Sequence, residues 1–286
     1  MTRALLCGRL PAMPATCRIG PFTLGEGHPL VLFAGPDTIE TEAQTRATIE
    51  ACRDLAKKHG VPWVLKCSFD KANRSQASGF RGPGIDAGLQ MLARLKKEYG
   101  FLLLTDVHEL GQAQRAAEVA DAIQIPAFLC RQTDLVIDVA RAGRAVNIKK
   151  GQFVAPYDMK GALEKAVGAG NPNVFLTERG ATFGYNNLVV DMRGLAMMRR
   201  LAPVCFDATH SVQRPGSSAD GSTGGDREYV RLLARAATAA GIDALFTEVH
   251  PDPDRALVDG PNSLDFAGLD ALLTEVVAIR RALGQR

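Results

Sequence analysis

The sequence predicts a (β/α)8 TIM barrel preceded by a short β-hairpin. Three observations lead there. From Val31 onward, short apolar, β-branched runs alternate eight times with longer amphipathic ones. The longest loops, 67–84, 178–189, 208–225 and 248–266, follow the second, sixth, seventh and eighth apolar runs, while connections back into the runs are short. Each run also finishes at or just before a polar or ionisable residue: Asp37, Lys66, Asp106, Gln124, Lys149, Arg179, His210 and Glu248. Strands of a parallel barrel are otherwise apolar and their C-terminal ends open into one pocket, so these endings point to one mouth.

Taken in order, residues 1–17 read as a flexible extension, since Ala4-Leu5-Leu6-Cys7 is far shorter than a secretory apolar region of about 7–15 residues. Residues 18–286 read as one barrel domain that includes the hairpin, whose extended pieces lie around Gly25-Glu26-Gly27 and are placed to cap the barrel floor. Strands are expected at 31–35, 62–66, 101–105, 121–125, 145–149, 173–177, 203–207 and 243–247. Helices are expected around 42–58, 85–98, 110–118, 132–141, 158–168, 190–200, 226–239 and 267–283. The last shows the pattern most plainly, with Leu269, Leu272, Leu273, Val276 and Leu283 on one face. An open doubly wound sheet would carry a Gly-rich first turn, and Gly35-Pro36-Asp37-Thr38-Ile39-Glu40 is no dinucleotide fingerprint.

Composition narrows the function classes. The chain has 286 residues, 46% hydrophobic and 23% charged, which supplies a sizeable core and argues against disorder. A net charge of +3 is too small to imply nucleic acid or an anionic membrane surface. No run approaches the roughly 20 apolar residues of a membrane span. The cysteines (Cys7, Cys17, Cys52, Cys67, Cys130, Cys205) show no metal spacing and read as reduced core residues of a cytoplasmic protein.

The chemistry concentrates after the second strand, in Phe69-Asp70-Lys71-Ala72-Asn73-Arg74-Ser75. Lys66, Lys71, Arg74, Lys149 and Arg179 at one mouth give it an excess of positive charge and point to an anionic ligand, with Arg offering bidentate and Lys point-charge contacts to phosphate. His210, Glu248 and Asp259, with Asp37 beside them where the last strand closes on the first, form a possible divalent-ion set. From spacing alone a hydrogen-bonded polar rim is the simpler account. The Gly- and Ser-rich stretch 214–225 reads equally as a lid over the mouth or as a plain linker.

The ordered motifs 66–75, 105–109, 123–135, 146–153, 177–191 and 206–213 closely resemble the 3-deoxy-D-manno-octulosonate 8-phosphate synthases, also called 2-dehydro-3-deoxyphosphooctonate aldolases, from about residue 30 to the end. The resemblance implies condensation of phosphoenolpyruvate with D-arabinose 5-phosphate and water, a step toward lipopolysaccharide, in a cytoplasmic homotetramer. By motif, Lys66, Ser68, Gln124, Lys149 and Arg179 would hold phosphoenolpyruvate, and Asn73, Arg74 and Ser75 the pentose phosphate. Arg131 would reach into a neighbouring subunit's site. Lys71, Asp106 and His210 are the catalytic candidates, with Lys71 between the substrates as proton donor to the aldehyde oxygen and Gln213 and Asp106 contacting the sugar or ordering the site.

The chain departs from the family pattern at Asp37, where the metal-dependent branch has Cys and the metal-free branch Asn, and at Gln76-Ala77-Ser78-Gly79 beside the sugar-phosphate loop. Asp37 with His210, Glu248 and Asp259 would suit Mn²⁺, Fe²⁺ or Mg²⁺ better than a thiolate set, with Zn²⁺ the remaining candidate. Two competing readings stay in view. One is a 3-deoxy-heptulosonate 7-phosphate synthase-like enzyme using another aldose phosphate, which typically has Lys-Pro-Arg where this chain has Lys71-Ala72-Asn73-Arg74. The other is a non-catalytic sugar-phosphate-binding barrel.

Overall fold

The computed structural model describes residues 13–74, 76–183, 186–217 and 223–285. An antiparallel hairpin, β1 (Thr16–Ile19) and β2 (Phe22–Gly25), opens it. Its turn falls at Gly20-Pro21, earlier than the Gly25-Glu26-Gly27 segment that the sequence favoured. Gly20 supplies the left-handed residue of the turn at φ 56°, and Gly25-Glu26-Gly27 instead leads out of β2.

Eight strand-helix units follow. They are β3 (Val31–Gly35), α1 (Glu42–His59), β4 (Trp63–Lys66), α2 (Ile85–Tyr99), β5 (Leu103–Asp106), α3 (Gln112–Ala117), β6 (Ala122–Ile125) and α4 (Thr133–Arg141). Next come β7 (Ala145–Lys149), α5 (Met159–Gly168), β8 (Val174–Glu178), a ribbon of β9 (Ala181–Thr182) and β10 (Leu188–Val189), and α6 (Met192–Arg199). The chain ends with β11 (Val204–Asp207), a ribbon of β12 (Gln213–Arg214) and β13 (Gly224–Gly225), α7 (Glu228–Ala240), β14 (Ala244–Glu248) and α8 (Phe266–Ala282). Strands β3 to β8, β11 and β14 pair in parallel and close into a barrel, with β14 returning to β3.

Alternation along each strand divides the core in two. Val31, Phe33, Val64, Leu104, Phe175 and Phe246 pack inside the barrel, with the Phe33 and Phe175 rings stacked at 5.2 Å. Cys17, Ile19 and Leu24 of the hairpin join that inner cluster, so the hairpin plugs the N-terminal end. Asn173, just before β8, holds it there by accepting from the Arg18 N–H at 2.6 Å and donating to the Arg18 carbonyl at 2.8 Å.

The outward strand residues pack under the helices. On α8, Leu269, Leu272, Leu273 and Val276 are fully buried, but Leu283 lies beyond the helix and is 48% exposed, because Ala282 is the last helical residue. Capping sets the helix ends: Thr41 accepts from Gln44 N at 3.1 Å and Asp265 from Gly268 N at 2.6 Å. The cysteines among the described residues are buried and unpaired, and Cys7 lies outside them.

Candidate active site

All eight strands run the same way, so their C-terminal ends surround one cavity of about 300 Å³. Its lining includes Asp37, Lys66, Ser68, Lys71, Asn73 and Arg74 on one side, and Gln124, Lys149, Arg179, His210, Gln213 and Asp259 on the other. Asp106 lies between them. Glu248, the last residue of β14, is fully buried behind the mouth. Ser75 lies outside the described residues. Arg131 faces elsewhere, into a second cavity of about 570 Å³ beside Phe153, Tyr157 and Lys165.

The lysines are tied rather than free. Lys66 Nζ donates to the Asp37 carbonyl at 2.8 Å and to Ser68 Oγ at 2.9 Å, with Glu248 Oε1 and Asp37 Oδ1 each 3.5 Å away. Ser68 Oγ donates onward to Asp106 Oδ1, and Asp106 Oδ2 meets His108 Nε2 at 3.0 Å. Lys71 Nζ bridges Asp37 Oδ2 at 2.7 Å and Asp259 Oδ2 at 2.8 Å. Lys149 Nζ sits 2.5 Å from Asp207 Oδ2. The expected bare excess of positive charge is thus largely balanced by carboxylates, since charges this deeply buried persist only when paired.

Arg179 differs. Its Nη2 donates to the His210 carbonyl at 3.1 Å and to Gln213 Oε1, whereas its buried Nη1 has no hydrogen-bond partner among the described residues. Burial lowers its pKa from the usual arginine value, but arginine remains charged, so Arg179 brings a cation to the cavity lining.

A second group faces it. His210, Glu248 and Asp259 each offer a ligand atom, all within 4.8 Å of one another. His210 Nε2 is 3.4 Å from both Glu248 Oε1 and Asp259 Oδ2. Neither oxygen of Glu248 accepts a hydrogen bond from the described residues, and burial, followed by the Asp37 charge, pushes its carboxyl up to about 7. One imidazole with two carboxylates, one of them fully buried and unsatisfied, fits a divalent cation. Asp37, the fourth residue the sequence suggested, lies outside that 4.8 Å set but is linked to it through Lys71, which it shares with Asp259, and through Lys66, which lies 3.5 Å from both Asp37 and Glu248.

Neighbouring charges set the ionisation states. Burial disfavours the Lys66 and Lys71 ammonium groups, but Glu248 and Asp37 around Lys66, and Asp259 and Asp37 around Lys71, outweigh it and raise both pKa values. Burial also opposes the Asp106 carboxylate, yet the His108 hydrogen bond and the Lys66 charge hold it well below the usual range.

Sequence reasoning passed over Asp207 and His108. Asp207 is the last residue of β11 and accepts from both Lys149 and His210, while His108 pairs with Asp106. The sequence signal for Asp207 is a carboxylate that ends an apolar strand, three residues before His210.

A parallel barrel that brings cations, amides and a His-carboxylate group to its C-terminal mouth defines a (β/α)8 enzyme with a pocket suited to anions. The sequence matches the DAHP synthetase I family over residues 13–283. It is 52% identical over 268 residues to the 2-dehydro-3-deoxyphosphooctonate aldolase of Syntrophotalea carbinolica, covering 93% of this chain and 96% of that one. The proteins of the same name from Geobacter metallireducens and Desulfotalea psychrophila are 53% and 52% identical, over 91% of this chain in both cases and 96% and 93% of theirs. The chain belongs to the DAHP synthetase I family and, within it, to the 2-dehydro-3-deoxyphosphooctonate aldolases.

Proposed function

We propose that this enzyme condenses phosphoenolpyruvate with D-arabinose 5-phosphate and water to give 3-deoxy-D-manno-octulosonate 8-phosphate and inorganic phosphate, as a cytoplasmic step toward lipopolysaccharide. The observation that carries the reading is the convergence of Lys66, Lys149 and Arg179 on one cavity, a ready site for the phosphate and carboxylate of phosphoenolpyruvate. Gln124 supports it: its Oε1 accepts from Asn147 at 3.0 Å, leaving the amide N–H groups for a ligand. Across the cavity Asn73 and Arg74 take the pentose phosphate, and Ser75 follows them in the sequence.

In this reading the C3 carbon of the enol phosphate attacks the aldehyde, and both anions are held at reacting distance by the cations. Lys71, kept charged by Asp37 and Asp259, gives its proton to the aldehyde oxygen as the bond forms. Positive charge grows at C2 and water adds there. The hemiketal phosphate then collapses with loss of phosphate. Gln213, bonded to Arg179 and, at 3.2 Å, to Asp259, orders the sugar end. His210, Glu248 and Asp259 would hold one divalent cation, Mn²⁺, Fe²⁺ or Mg²⁺ before Zn²⁺ given the oxygen donors; when bound, such an ion orients the aldehyde or water and lowers the water's pKa.

Among the described residues no helix is long and apolar enough to cross a membrane. Assembly as a homotetramer, with Arg131 reaching a neighbour's site, is supported by exposed side chains on successive mouth loops: Leu110 after β5, Phe128 after β6, Phe153 and Tyr157 after β7, and Phe183 after β8.

The test is phosphate release from phosphoenolpyruvate with arabinose 5-phosphate or erythrose 4-phosphate, on chelator-treated protein resupplied with Mn²⁺, Mg²⁺ or Zn²⁺. Release that depends on arabinose 5-phosphate and far exceeds that with the shorter sugar is expected. No release with any aldose, under any metal condition, would overturn the assignment; activity unchanged by chelation, with no ion in the protein, would remove the metal alone.

A further inference from the structure

Asp207 ends β11 and has no exposed surface. A carboxylate can only accept, and this one accepts three times. Its Oδ1 takes the His210 backbone N–H at 2.9 Å, and its Oδ2 takes His210 Nδ1 at 2.8 Å and Lys149 Nζ at 2.5 Å. Lys149 comes from β7, two strands away around the barrel, so one carboxylate joins two walls of the mouth.

The geometry needs that carboxylate. Lys149 Nζ and His210 Nδ1 lie only 3.4 Å apart, two donors that would separate if Oδ2 did not stand against both. With Nδ1 committed to Asp207, His210 has only Nε2 to present to Glu248 and Asp259. With one Lys149 N–H committed, and Nζ 4.2 Å from the centre of the Phe246 ring, the ammonium is fixed where it lines the cavity.

We propose that Asp207 is a positioning residue for both halves of the site, holding Lys149 toward the phosphoenolpyruvate anion and aiming His210 Nε2 at Glu248 and Asp259. The inference rests on the reading of Lys149 as a phosphoenolpyruvate contact. Asp207 does not touch substrate; it acts through the two groups it accepts from.

The test is a double-mutant cycle with Lys149, reading the KM of each substrate separately. Asp207→Asn keeps the volume and an acceptor for the His210 N–H but offers an amide NH₂ to Lys149 or to His210 Nδ1. Asp207→Glu keeps the charge but displaces the oxygens, and serves where the amide fails to fold. In a variant with wild-type circular dichroism and cooperative unfolding, KM for phosphoenolpyruvate rises about tenfold or more, and by more than KM for the aldose phosphate. In a Lys149→Met background the same Asp207 substitution adds little to KM for phosphoenolpyruvate. An unchanged KM in a folded Asp207 variant, or a full effect persisting without Lys149, overturns the proposal. If Lys149→Met alone leaves KM for phosphoenolpyruvate unchanged, the reading of Lys149 fails instead.

Discussion

Lys71 shows how much of the chemistry rests on single side chains. Its ammonium bridges Asp37 and Asp259, and that double pairing keeps it protonated in a buried setting. Lys71→Met removes the proton donor and leaves two carboxylates facing each other, so kcat is expected to fall about 10²-fold or more, with a smaller change in KM for phosphoenolpyruvate, in steady-state assays. Asp106 makes a prediction of a different kind. Its pKa is lower folded than the ordinary 3.8, so the unfolded chain binds the proton more readily. The stability it contributes is fully present above about pH 4 and is lost as pH falls through the folded value. Asp106→Asn should therefore lower stability at pH 7 by about 1.5–3 kcal/mol, the worth of hydrogen bonds to a charged group, with the gap narrowing on acidification in urea titrations. At this scale the sequence made Lys66, Lys149 and Arg179 legible because each ends or follows an apolar strand. It hid how they are paired, since Asp207 and Lys149 lie 58 positions apart and only barrel closure brings them together.

The strands and helices were legible nearly to their ends because their apolar residues repeat at two distinct periods. The hairpin turn was not, since Gly20-Pro21 and Gly25-Glu26-Gly27 are both turn sequences and only pairing in register chose between them. One device recurs on opposite sides of the barrel. Asp121, just before β6, accepts from the Leu103 N–H at 2.8 Å and from Lys96 of α2 at 2.5 Å. Asp243, just before β14, accepts from the Val204 N–H at 2.9 Å and from Arg199 of α6 at 2.8 Å. Each ties a helix to the N-terminal ends of two strands. Alanine at either position is expected to cost about 1–3 kcal/mol by denaturant midpoint, and the two losses should add, because the sites share no partner. Gly35 sets a limit of another kind: a Cβ there would lie 2.2 Å from the Lys66 carbonyl oxygen. Gly35→Ala should destabilise by about 1–3 kcal/mol and lower affinity for phosphoenolpyruvate by pushing β4 and Lys66 outward. A calorimetric scan with and without that substrate reads both effects.

For the whole molecule, the exposed aromatics predict assembly. Phe153 and Tyr157 are 59% and 65% exposed and share the wall of the cavity that contains Arg131. Large apolar side chains grouped on one rim are a common mark of a protein-protein interface. The native chain is expected to sediment as a tetramer, and replacing Phe153 and Tyr157 together by Glu should shift it to smaller species. A tetramer that survives both charges would place the interface elsewhere.

Periodicity and strand-end chemistry determined that this chain is a parallel (β/α)8 barrel whose strand ends carry polar and ionisable residues to one mouth, because both are local properties written at intervals of two to four residues. Family motifs carried the reaction. Only the tertiary structure decided which carboxylate meets which cation: Asp37 and Asp259 with Lys71, Asp207 with Lys149, and Glu248 left unsatisfied beside His210. Those pairings follow from closure of β14 onto β3 and from the register of each strand. Direct ion pairs and hydrogen bonds form only at separations of a few ångströms, and sequence separation holds no record of that distance.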